Sequence, residues 1–582
     1  MSSPFFGLDI ATRALRTQQT LVDITNQNIA NANTPGYSRQ SGTVEATLAY
    51  PIPVFSSSGQ PGQLGTGVEV TAVTRARDTF ADMQIRGQYA EQGRWDSRKD
   101  ALAQVEATVN EPSSSGLSSQ LTKFWQSWQQ LANSPSDAAA RVSVVQQGTA
   151  LAQAFNSQSQ QLRQEQQNLD GNLGLTVTNI NNFANQIAVI NKQISQVEAG
   201  GMHANDLRDQ RDQLLDQLSQ LVKVTSTESA DGQVSLYVNG HQLVDRDKVH
   251  QLVATPGPAP SWTAITWADD NTTLNQATAG GQLQGLAEAR DTDVQNQLNS
   301  LDQLAKRVIQ NVNSIHTSGV GLDGKGGQVF FDGTDSGSIA VDSVLTGPGG
   351  TDHVAAARVY ADPTSPTGYS TATGDSSNGV ALANLQQGVG QVATTSGVQV
   401  GNTYTGPPSA NVVGVDLSQA GPNASLALAV SGTTVTINGA SATVTEGADA
   451  NGKEVVTIDG QNARLTLSAN TPAYTPGALA SILSNLNGKT LASQPTPSTI
   501  GAQYGQAVAS LGVASSTAQS ESSNQQVLVN QLDTQRQQTS GVSLDEEATH
   551  LIQYQRAYEA AARVITVNDS MLDTLINHTG AA

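Results

Sequence analysis

Two stretches at opposite ends of the chain carry a seven-residue apolar repeat, and this feature constrains the fold more than any other. Such a repeat places one stripe of side chains along a helix, as in a coiled coil. Burying a large apolar side chain contributes roughly 1.5–3 kcal/mol, whereas ordering a backbone costs roughly 1–2 kcal/mol per residue. Neither helix is therefore expected to be stable alone. The repeats run through Leu8, Leu15, Val22 and Ile29, and through Leu551, Tyr558, Ile565 and Leu572.

The sequence also predicts where these helices meet the rest of the chain. Ser543 and Glu546 form a capping box that starts the C-terminal helix. Pro35 should end the N-terminal helix, because the residue before a proline avoids helical angles. The four residues Thr34 to Tyr37 suit a type II turn, with Pro35 and Gly36 at its centre.

Periodicity leaves two arrangements open for these helices. They can pack between subunits as a coiled coil, or form an intramolecular pair that caps a globular core. Both arrangements satisfy the same apolar stripe, so the repeat does not choose between them.

The intervening chain predicts an α+β multidomain fold, with terminal coiled-coil helices, a core bundle of long helices and small inserted all-β domains. Helical spacing indicates helices over 137–170, 173–198, 205–221 and 500–539. Alternating residues and turn dipeptides such as Asn239-Gly240 indicate β hairpins. The predicted domains are 1–40 with 540–582 (coiled coil), 41–224 with 283–396 and 491–539 (bundle), 225–282 (β) and 397–490 (β).

Motifs at both ends resemble those of one known family. The segment 30–37 is similar to the Ala-Asn-x-x-Thr-Pro-Gly-Tyr box of the axial proteins of the bacterial flagellar rod and hook. The segment around Gln555, Arg556 and Tyr558 resembles the C-terminal box of that family. The strings at 205–214, 281–291 and 540–547 resemble the hook-associated members in particular.

The resemblance implies a structural adaptor that joins the flagellar hook to the filament. It implies a homo-oligomer in a tubular assembly, whose partners are hook protein, the second protein of the hook–filament junction and an export chaperone. It also implies an extracellular location, reached through the flagellar type III apparatus without a cleaved signal peptide. The residues expected to carry assembly are the two heptad sets together with Asn31, Thr34, Pro35, Gly36, Tyr37, Gln555 and Arg556.

Composition excludes some other classes of partner. The formal net charge is −20, which argues against nucleic acid because phosphate neutralisation needs clustered Lys and Arg. The chain has no cysteine, so it has no disulfide or thiolate metal site. No apolar run approaches the ~20 residues of a membrane helix, so no membrane partner is expected.

No catalytic constellation stands out, so the sequence predicts that the chain is not an enzyme and needs no cofactor. The GxGxxG string at 319–324 follows a predicted helix rather than a strand, so it indicates a turn instead of a dinucleotide site. Two alternatives stay open. One is a hook or distal-rod subunit, and the other is a secreted hydrolase with its site in 397–490.

Overall fold

The fold is described from a computed structural model. It describes residues 5–49, 64–257, 262–358, 374–387 and 499–574, together with short strands between 360 and 492. The helices, in chain order, are α1 (Phe6–Asn31), α2 (Thr79–Val109), α3 (Leu117–Asn133), α4 (Ala138–Glu198), α5 (Asn205–Leu221), α6 (Gly281–Glu288), α7 (Gln295–His316), α8 (Ser343–Thr346), α9 (Ser377–Asn384), α10 (Ile500–Ser540) and α11 (Leu544–Asp573).

The strands are short, and every pair is antiparallel. They are β1 (Gln40–Ala46), β2 (Val68–Arg75), β3 (Thr225–Glu228), β4 (Val234–Val238), β5 (His241–Asp245), β6 (Lys248–Val249), β7 (Leu252–Thr255), β8 (Ala264–Trp267), β9 (Gly319–Val320), β10 (Phe331–Asp332), β11 (Ala340–Val341), β12 (Ala357–Arg358), β13 (Tyr360–Ala361), β14 (Tyr369–Ser370), β15 (Thr394–Thr395), β16 (Asn411–Asp416), β17 (Ser425–Ser431), β18 (Thr434–Ile437), β19 (Ala440–Ala448), β20 (Glu454–Gly460), β21 (Ala463–Ser468) and β22 (Thr490–Ala492).

Long helices with small antiparallel sheets make this an α+β multidomain protein, as the sequence predicts. The chain divides into two compact units. Unit 1 holds residues 1–103, 166–293 and 514–582, and unit 2 holds 104–165 and 294–513. The finer division into four domains stays a prediction.

In unit 1, α1 packs against both α11 and the β1–β2 ribbon. Ser543 is the N-cap of α11 and accepts a hydrogen bond from the Glu546 backbone N–H, so the predicted start of this helix is confirmed. The β1–β2 ribbon pairs Gln40 with Arg75 at one end and Ala46 with Val68 at the other.

The inserted strands β3 to β8 of unit 1 form a four-stranded sheet and a two-stranded sheet. Asn239 and Gly240 both have positive φ, 50° and 81°, which confirms the turn predicted between β4 and β5. Asn191 of α4 is fully buried, and its amide donates to the carbonyls of Val234 and Arg246, each at 2.7 Å. The helix is therefore tied to the inserted strands by hydrogen bonds from one of its side chains to their backbone.

The prediction of two helices over 137–170 and 173–198 is wrong, because α4 is one helix of 61 residues. Gly171 lies where the break was expected and Gly174 lies just inside the second predicted helix, and a Cβ at either position would meet no atom of another element within 4 Å. Each glycine costs a helix about 1 kcal/mol relative to alanine. The buried side chains of Leu169, Leu173 and Val177 offset that cost and keep the helix continuous.

Unit 2 is built around an aromatic core. Phe124 and Trp128 of α3 are fully buried, as their helical spacing predicts. Phe124 lies 5.6 Å from Phe330 and 5.5 Å from Phe331 between ring centroids, and the Trp128 ring lies 6.1 Å from that of His316. In the same unit, β15 to β22 form one eight-stranded sheet. The β18–β19 hairpin occurs where the sequence predicts it, although its Asn438-Gly439 turn lies outside the described residues. The β20–β21 hairpin also forms, but the turn predicted at Asp459-Gly460 is wrong, because both residues still pair within β20, opposite Arg464 and Ala463.

His316 should make the stability of unit 2 depend on pH. Its ring is fully buried; Nδ1 donates to the Gln328 carbonyl at 2.7 Å, and Nε2 accepts from the Ala355 N–H at 3.0 Å. Burial lowers the pKa of His316 from 6.5 to about 4. The folded state therefore binds the proton less well than the unfolded state. The contribution of neutral His316 to the free energy of unfolding is fully present above pH 6.5. It is lost as the pH falls towards 4, at about 1.4 kcal/mol per pH unit.

Urea unfolding at pH 7.5 and pH 5 measures this effect. We expect His316→Asn to weaken the pH dependence and the same change at the exposed His203 to leave it unchanged. An equal pH dependence in the His316→Asn variant and the unmodified chain would show that His316 is not the source of the pH dependence.

Candidate assembly site

The predicted assembly residues lie on the paired helices α1 and α11 and on the turn after α1. Gly7 and Asn568 meet at one end of the pair, where a Cβ on Gly7 would lie 3.3 Å from Asn568 Nδ2. Asn28 and Glu547 meet at the other end, with Asn28 Nδ2 3.0 Å from Glu547 Oε2. The start of α1 thus lies beside the end of α11, and the two helices are antiparallel.

The large heptad side chains are only partly covered within one chain. The buried positions on the two helices are mostly small or polar, among them Ala11, Thr25, Asn28, Glu547 and Ala561. Tyr558 is 38% exposed. The half-buried heptad residues are Leu8, Leu15, Val22, Ile29, Leu551, Ile565 and Leu572.

A second face of α11 carries apolar side chains that are open to solvent. Ile552 is 61% exposed and Met571 is 58% exposed, and Val564 and Val567 are similarly exposed. The predicted motif residues Gln555 and Arg556 are also exposed. Large apolar side chains exposed in this number on one helix are consistent with an interaction surface.

The turn after α1 has the predicted geometry. The Tyr37 N–H donates to the Thr34 carbonyl at 3.2 Å, and Gly36 has a φ of 81°, which confirms the type II turn. Thr34, Pro35 and Gly36 are exposed. Thr34 Oγ1 donates to Asn31 Oδ1 at 3.1 Å, so Asn31 ties the turn to the last turn of α1.

A buried polar cluster of Asn28, Tyr37, Arg39 and Glu547 joins this turn to α11. Glu547 is 2% exposed, and its two carboxylate oxygens accept from Arg39 Nε at 2.7 Å and from Asn28 Nδ2 at 3.0 Å. Tyr37 Oη donates to Asn28 Oδ1 at 2.8 Å. Burial, with the nearby carboxylates of Asp206, Asp209 and Glu547, raises the pKa of Tyr37 well above its ordinary value. The phenol therefore stays a hydrogen-bond donor.

A row of aspartates on α5 contacts the residues that follow the turn after α1, and we call it the α5 aspartate row. Its members Asp209, Asp212 and Asp216 follow at steps of three and four residues, so they share one face of the helix. Asp209 accepts from the Ser38 backbone N–H at 2.8 Å and from Ser38 Oγ at 2.7 Å, next to the family turn. The row thus connects the turn to α5.

Arginines that are distant in the sequence neutralise the α5 aspartate row. Arg75 Nη1 lies 2.7 Å from a carboxylate oxygen of both Asp209 and Asp212. Arg86 bridges Asp212 at 3.2 Å and Asp216 at 2.8 Å. Arg536 of α10 lies 2.6 Å from Asp216. The run of Asp and Arg residues in 205–214 predicts a salt-bridged helix face. The structure shows this face largely buried, and its partners are arginines of β2, α2 and α10.

Electrostatic interactions favour the charged forms of Asp212 and Arg86, the pair at the centre of the α5 aspartate row. Burial alone would raise the pKa of Asp212, but Arg75, Arg86 and Arg77 outweigh burial and hold its pKa well below the ordinary carboxyl range. For Arg86, the carboxylates of Asp216 and Asp212 likewise outweigh burial and raise the pKa. Both groups are therefore ionised across the physiological range.

Several residues that complete the site carry no signal in the sequence. Glu547 looks like one more acid in the first helical turn, although it is buried against Asn28 and Arg39. Arg75 and Arg86 follow segments with strand-like and helical patterns, but nothing in the sequence links either arginine to α5. A count of acids on α5 could have indicated that basic partners were needed, but it could not have located them.

The described residues offer little that suits other chemistry. Within the described ranges, no three His, Asp or Glu side chains are grouped so that they could hold a metal ion. None of the described helices is both long and apolar enough to cross a membrane. The side chains of 397–490, where the hydrolase alternative was located, lie outside the described residues.

Comparison with known proteins first identifies a class. Residues 8–37, which span α1 and its turn, match the family model described as flagella basal body rod protein. Residues 528–578, which include α11, match the model described as flagellar basal body rod FlgEFG protein C-terminal. The chain is therefore an axial protein of the bacterial flagellum.

The remainder of the chain narrows the class to one family. Residues 102–331 match the model described as flagellar hook-associated protein FlgK helical domain. The chain is 30% identical to flagellar hook-associated protein 1 of Bacillus subtilis (strain 168) over 622 aligned residues, covering 100% of this chain and 99% of that protein. It is 29% identical to flagellar hook-associated protein 1 of Salmonella typhimurium (strain LT2), covering 97% of this chain and 98% of that one. The chain belongs to the flagellar hook-associated protein 1 family.

This membership confirms the resemblance and makes the chain a structural adaptor of the flagellum. It does not support the alternative of a hook or distal-rod subunit, since the relatives match over nearly their full length. A solved structure of the flagellar hook junction protein FlgK from Burkholderia pseudomallei is also similar. It covers 78% of this chain and 100% of that chain at 20% identity, with a TM-score of 0.48.

Proposed function

We propose that this protein joins the flagellar hook to the filament and assembles into a short tube through its terminal helices α1 and α11. One observation carries the proposal. The two segments that match axial protein families form a pair whose large apolar side chains are only partly covered within one chain. In a tube each pair would gain neighbours, and these neighbours would bury the exposed apolar face.

The assembly residues divide into two roles under this proposal. The heptad side chains pack the α1–α11 pair and its neighbours. Asn31, Thr34, Pro35, Gly36 and Tyr37 fix the turn that directs the chain from α1 into β1. Gln555 and Arg556, which are exposed on α11, contact other subunits.

We further propose the partners and the route of export. Hook protein binds on one side of the assembly, and the second junction protein binds on the other. An export chaperone holds the C-terminal helix before the chain passes through the flagellar type III apparatus to the cell exterior. A chain without cysteine is compatible with this route, since it forms no disulfides that would have to open before an unfolded chain enters a channel.

The protein acts by binding rather than by catalysis in this proposal. Its relatives are structural flagellar proteins. The ionised clusters in the described part of unit 1 pair acids with arginines, and such pairing neutralises a carboxylate instead of preparing it for proton transfer.

Deleting the gene tests the proposed junction role. We expect hooks of normal length without filaments, because filament subunits would have nothing to assemble on, and we expect those subunits in the medium. Electron microscopy and an immunoblot of the medium measure both results. Restoring the full chain should restore filaments. Loss of the hook itself would indicate a hook subunit, and normal flagella would contradict any junction role.

A further inference from the structure

A positively charged groove in unit 1 is lined by residues of α1 and β2 and by no residue of α11. It has a volume of about 700 Å³ between α1, strand β2 and the turn that follows α4. Arg13 and Arg16 of α1 line it with His203 and Met202, and Glu69 is the one carboxylate of the lining. Thr17 Oγ1 donates to the Val68 carbonyl at 3.0 Å and closes one wall of the groove.

The two arginines are available for a partner. Both are exposed, and neither guanidinium makes an ion pair with any of the described residues. This differs from Arg75, Arg86 and Arg536 of the same unit, each of which bridges two carboxylates. Met202 is 66% exposed beside them, so the groove offers an apolar contact next to two free positive charges.

The start of α11 carries the complementary chemistry. Asp545 and Glu546 are adjacent and exposed, and Leu544 next to them is 52% exposed. Asp545 has no ion pair among the described residues, and Glu546 reaches Arg39 only at 3.5 Å while its side chain is 63% exposed. Two acids beside a leucine thus match two arginines beside a methionine.

These two surfaces cannot meet within one chain. The start of α11 lies beside Asn28, near the end of α1, whereas Arg13 lies near the beginning of α1. A helix rises by about 1.5 Å per residue, so Asn28 and Arg13 lie roughly 22 Å apart along the axis of α1. A second copy shifted by about that distance along the helix pair would bring its α11 start level with the groove.

We propose that the groove at Arg13 and Arg16 binds the segment Leu544–Glu546 of a second copy of this chain. This contact is one of the lateral interfaces of the tube, and it rests on the self-assembly proposed above. The charges fix the axial shift between neighbours, because only one shift pairs both arginines with acids. The leucine and the methionine then exclude water from the paired charges.

A charge swap tests the contact in flagellated cells. The double variant Arg13→Glu with Arg16→Glu should lower the number of filaments per cell roughly tenfold or more, because like charges across an interface oppose binding. The double variant Asp545→Lys with Glu546→Lys should do the same. The chain carrying all four changes should restore filaments, since the paired charges of the proposed contact are then exchanged and attract each other again. Lys192→Glu with Lys248→Glu is the matched control, because it changes the charge equally at exposed positions of the same unit.

Cross-linking gives a second readout that does not depend on filament growth. The chain has no cysteine, so Arg13→Cys with Asp545→Cys introduces one thiol on each of the two proposed surfaces, and the proposed contact places the thiol at 13 of one copy beside the thiol at 545 of the next. We expect covalently linked copies in assembled junctions and none in the monomer. Normal filaments on the chain that carries Arg13→Glu with Arg16→Glu, a four-change chain that restores nothing, or the absence of the cross-link would each overturn the contact. Normal filaments after gene deletion would instead contradict the proposed function.

Discussion

Replacing Asp212 by asparagine is expected to lower the free energy of unfolding of the protein by about 3 kcal/mol. Asp212 is 6% exposed and lies at the centre of the α5 aspartate row. Its carboxylate accepts from Arg75 at 2.7 Å and from Arg86 at 3.2 Å. Asparagine keeps the shape of the side chain but removes the charge, so both arginines stay buried with less compensation.

The expected loss of about 3 kcal/mol follows from the carboxylate partners that Arg75 and Arg86 retain. Removing one partner of a buried ion pair costs about 3–5 kcal/mol when the other charge is left alone. Arg75 retains Asp209, and Arg86 retains Asp216. We therefore expect the lower end of that range. The Asp212 carboxylate also stays ionised in mild acid, because its pKa is lowered. Its contribution to stability is complete above its ordinary pKa of 3.8 and is lost only as the pH falls well below that value.

Asp206 provides the matched control on the same helix. Its side chain is exposed and accepts a hydrogen bond from Gln40 Nε2 at 2.8 Å. Asp206→Asn should change the free energy of unfolding by no more than about 0.5 kcal/mol, as is usual at exposed positions. Urea denaturation of both variants, followed by circular dichroism, measures the difference. Equal stabilities of the two variants would show that the α5 aspartate row does not hold unit 1 together.

Local signals explain why much of the fold could be predicted from the sequence. The cap at Ser543, the turn at Gly36 and the turn at Gly240 each depend on neighbouring residues only, and the structure confirms all three. The extent of α5 likewise follows from its own periodicity. The predicted break between two helices near Gly171 is wrong, because tertiary packing of α4 outweighs the low helix propensity of glycine.

The supporting parts of the candidate site depend on contacts between distant residues. Glu547 meets Asn28 across almost the whole length of the chain, and Arg536 meets Asp216 across more than half of it. A single sequence contains no pattern that links such positions. It could therefore predict that α5 carries ion pairs, but not that β2, α2 and α10 supply the arginine partners.

The largest effect on assembly is expected from Ile565→Asp. Ile565 follows the buried Ala561 by four residues and precedes Asn568, which lies against Gly7, by three. Helical spacing therefore places it on the face of α11 that packs against α1. The side chain is half-buried in one chain, so an aspartate there can still reach water. In the proposed tube the same position becomes dry, and an unpaired charge at a dry site costs several kcal/mol.

A cost of about 3 kcal/mol at one contact weakens binding more than 100-fold. We therefore expect cells that secrete the Ile565→Asp chain into the medium but grow no filaments, which electron microscopy and an immunoblot of the medium would detect. Ile565→Leu keeps the apolar contact and should assemble normally. Thr566→Asp places the same charge at the adjacent exposed position and should retain filaments. If the Ile565→Asp chain supports filaments as well as these controls do, then this face of α11 stays open to water in the assembly, and the half-buried heptad residues are not what holds the subunits together.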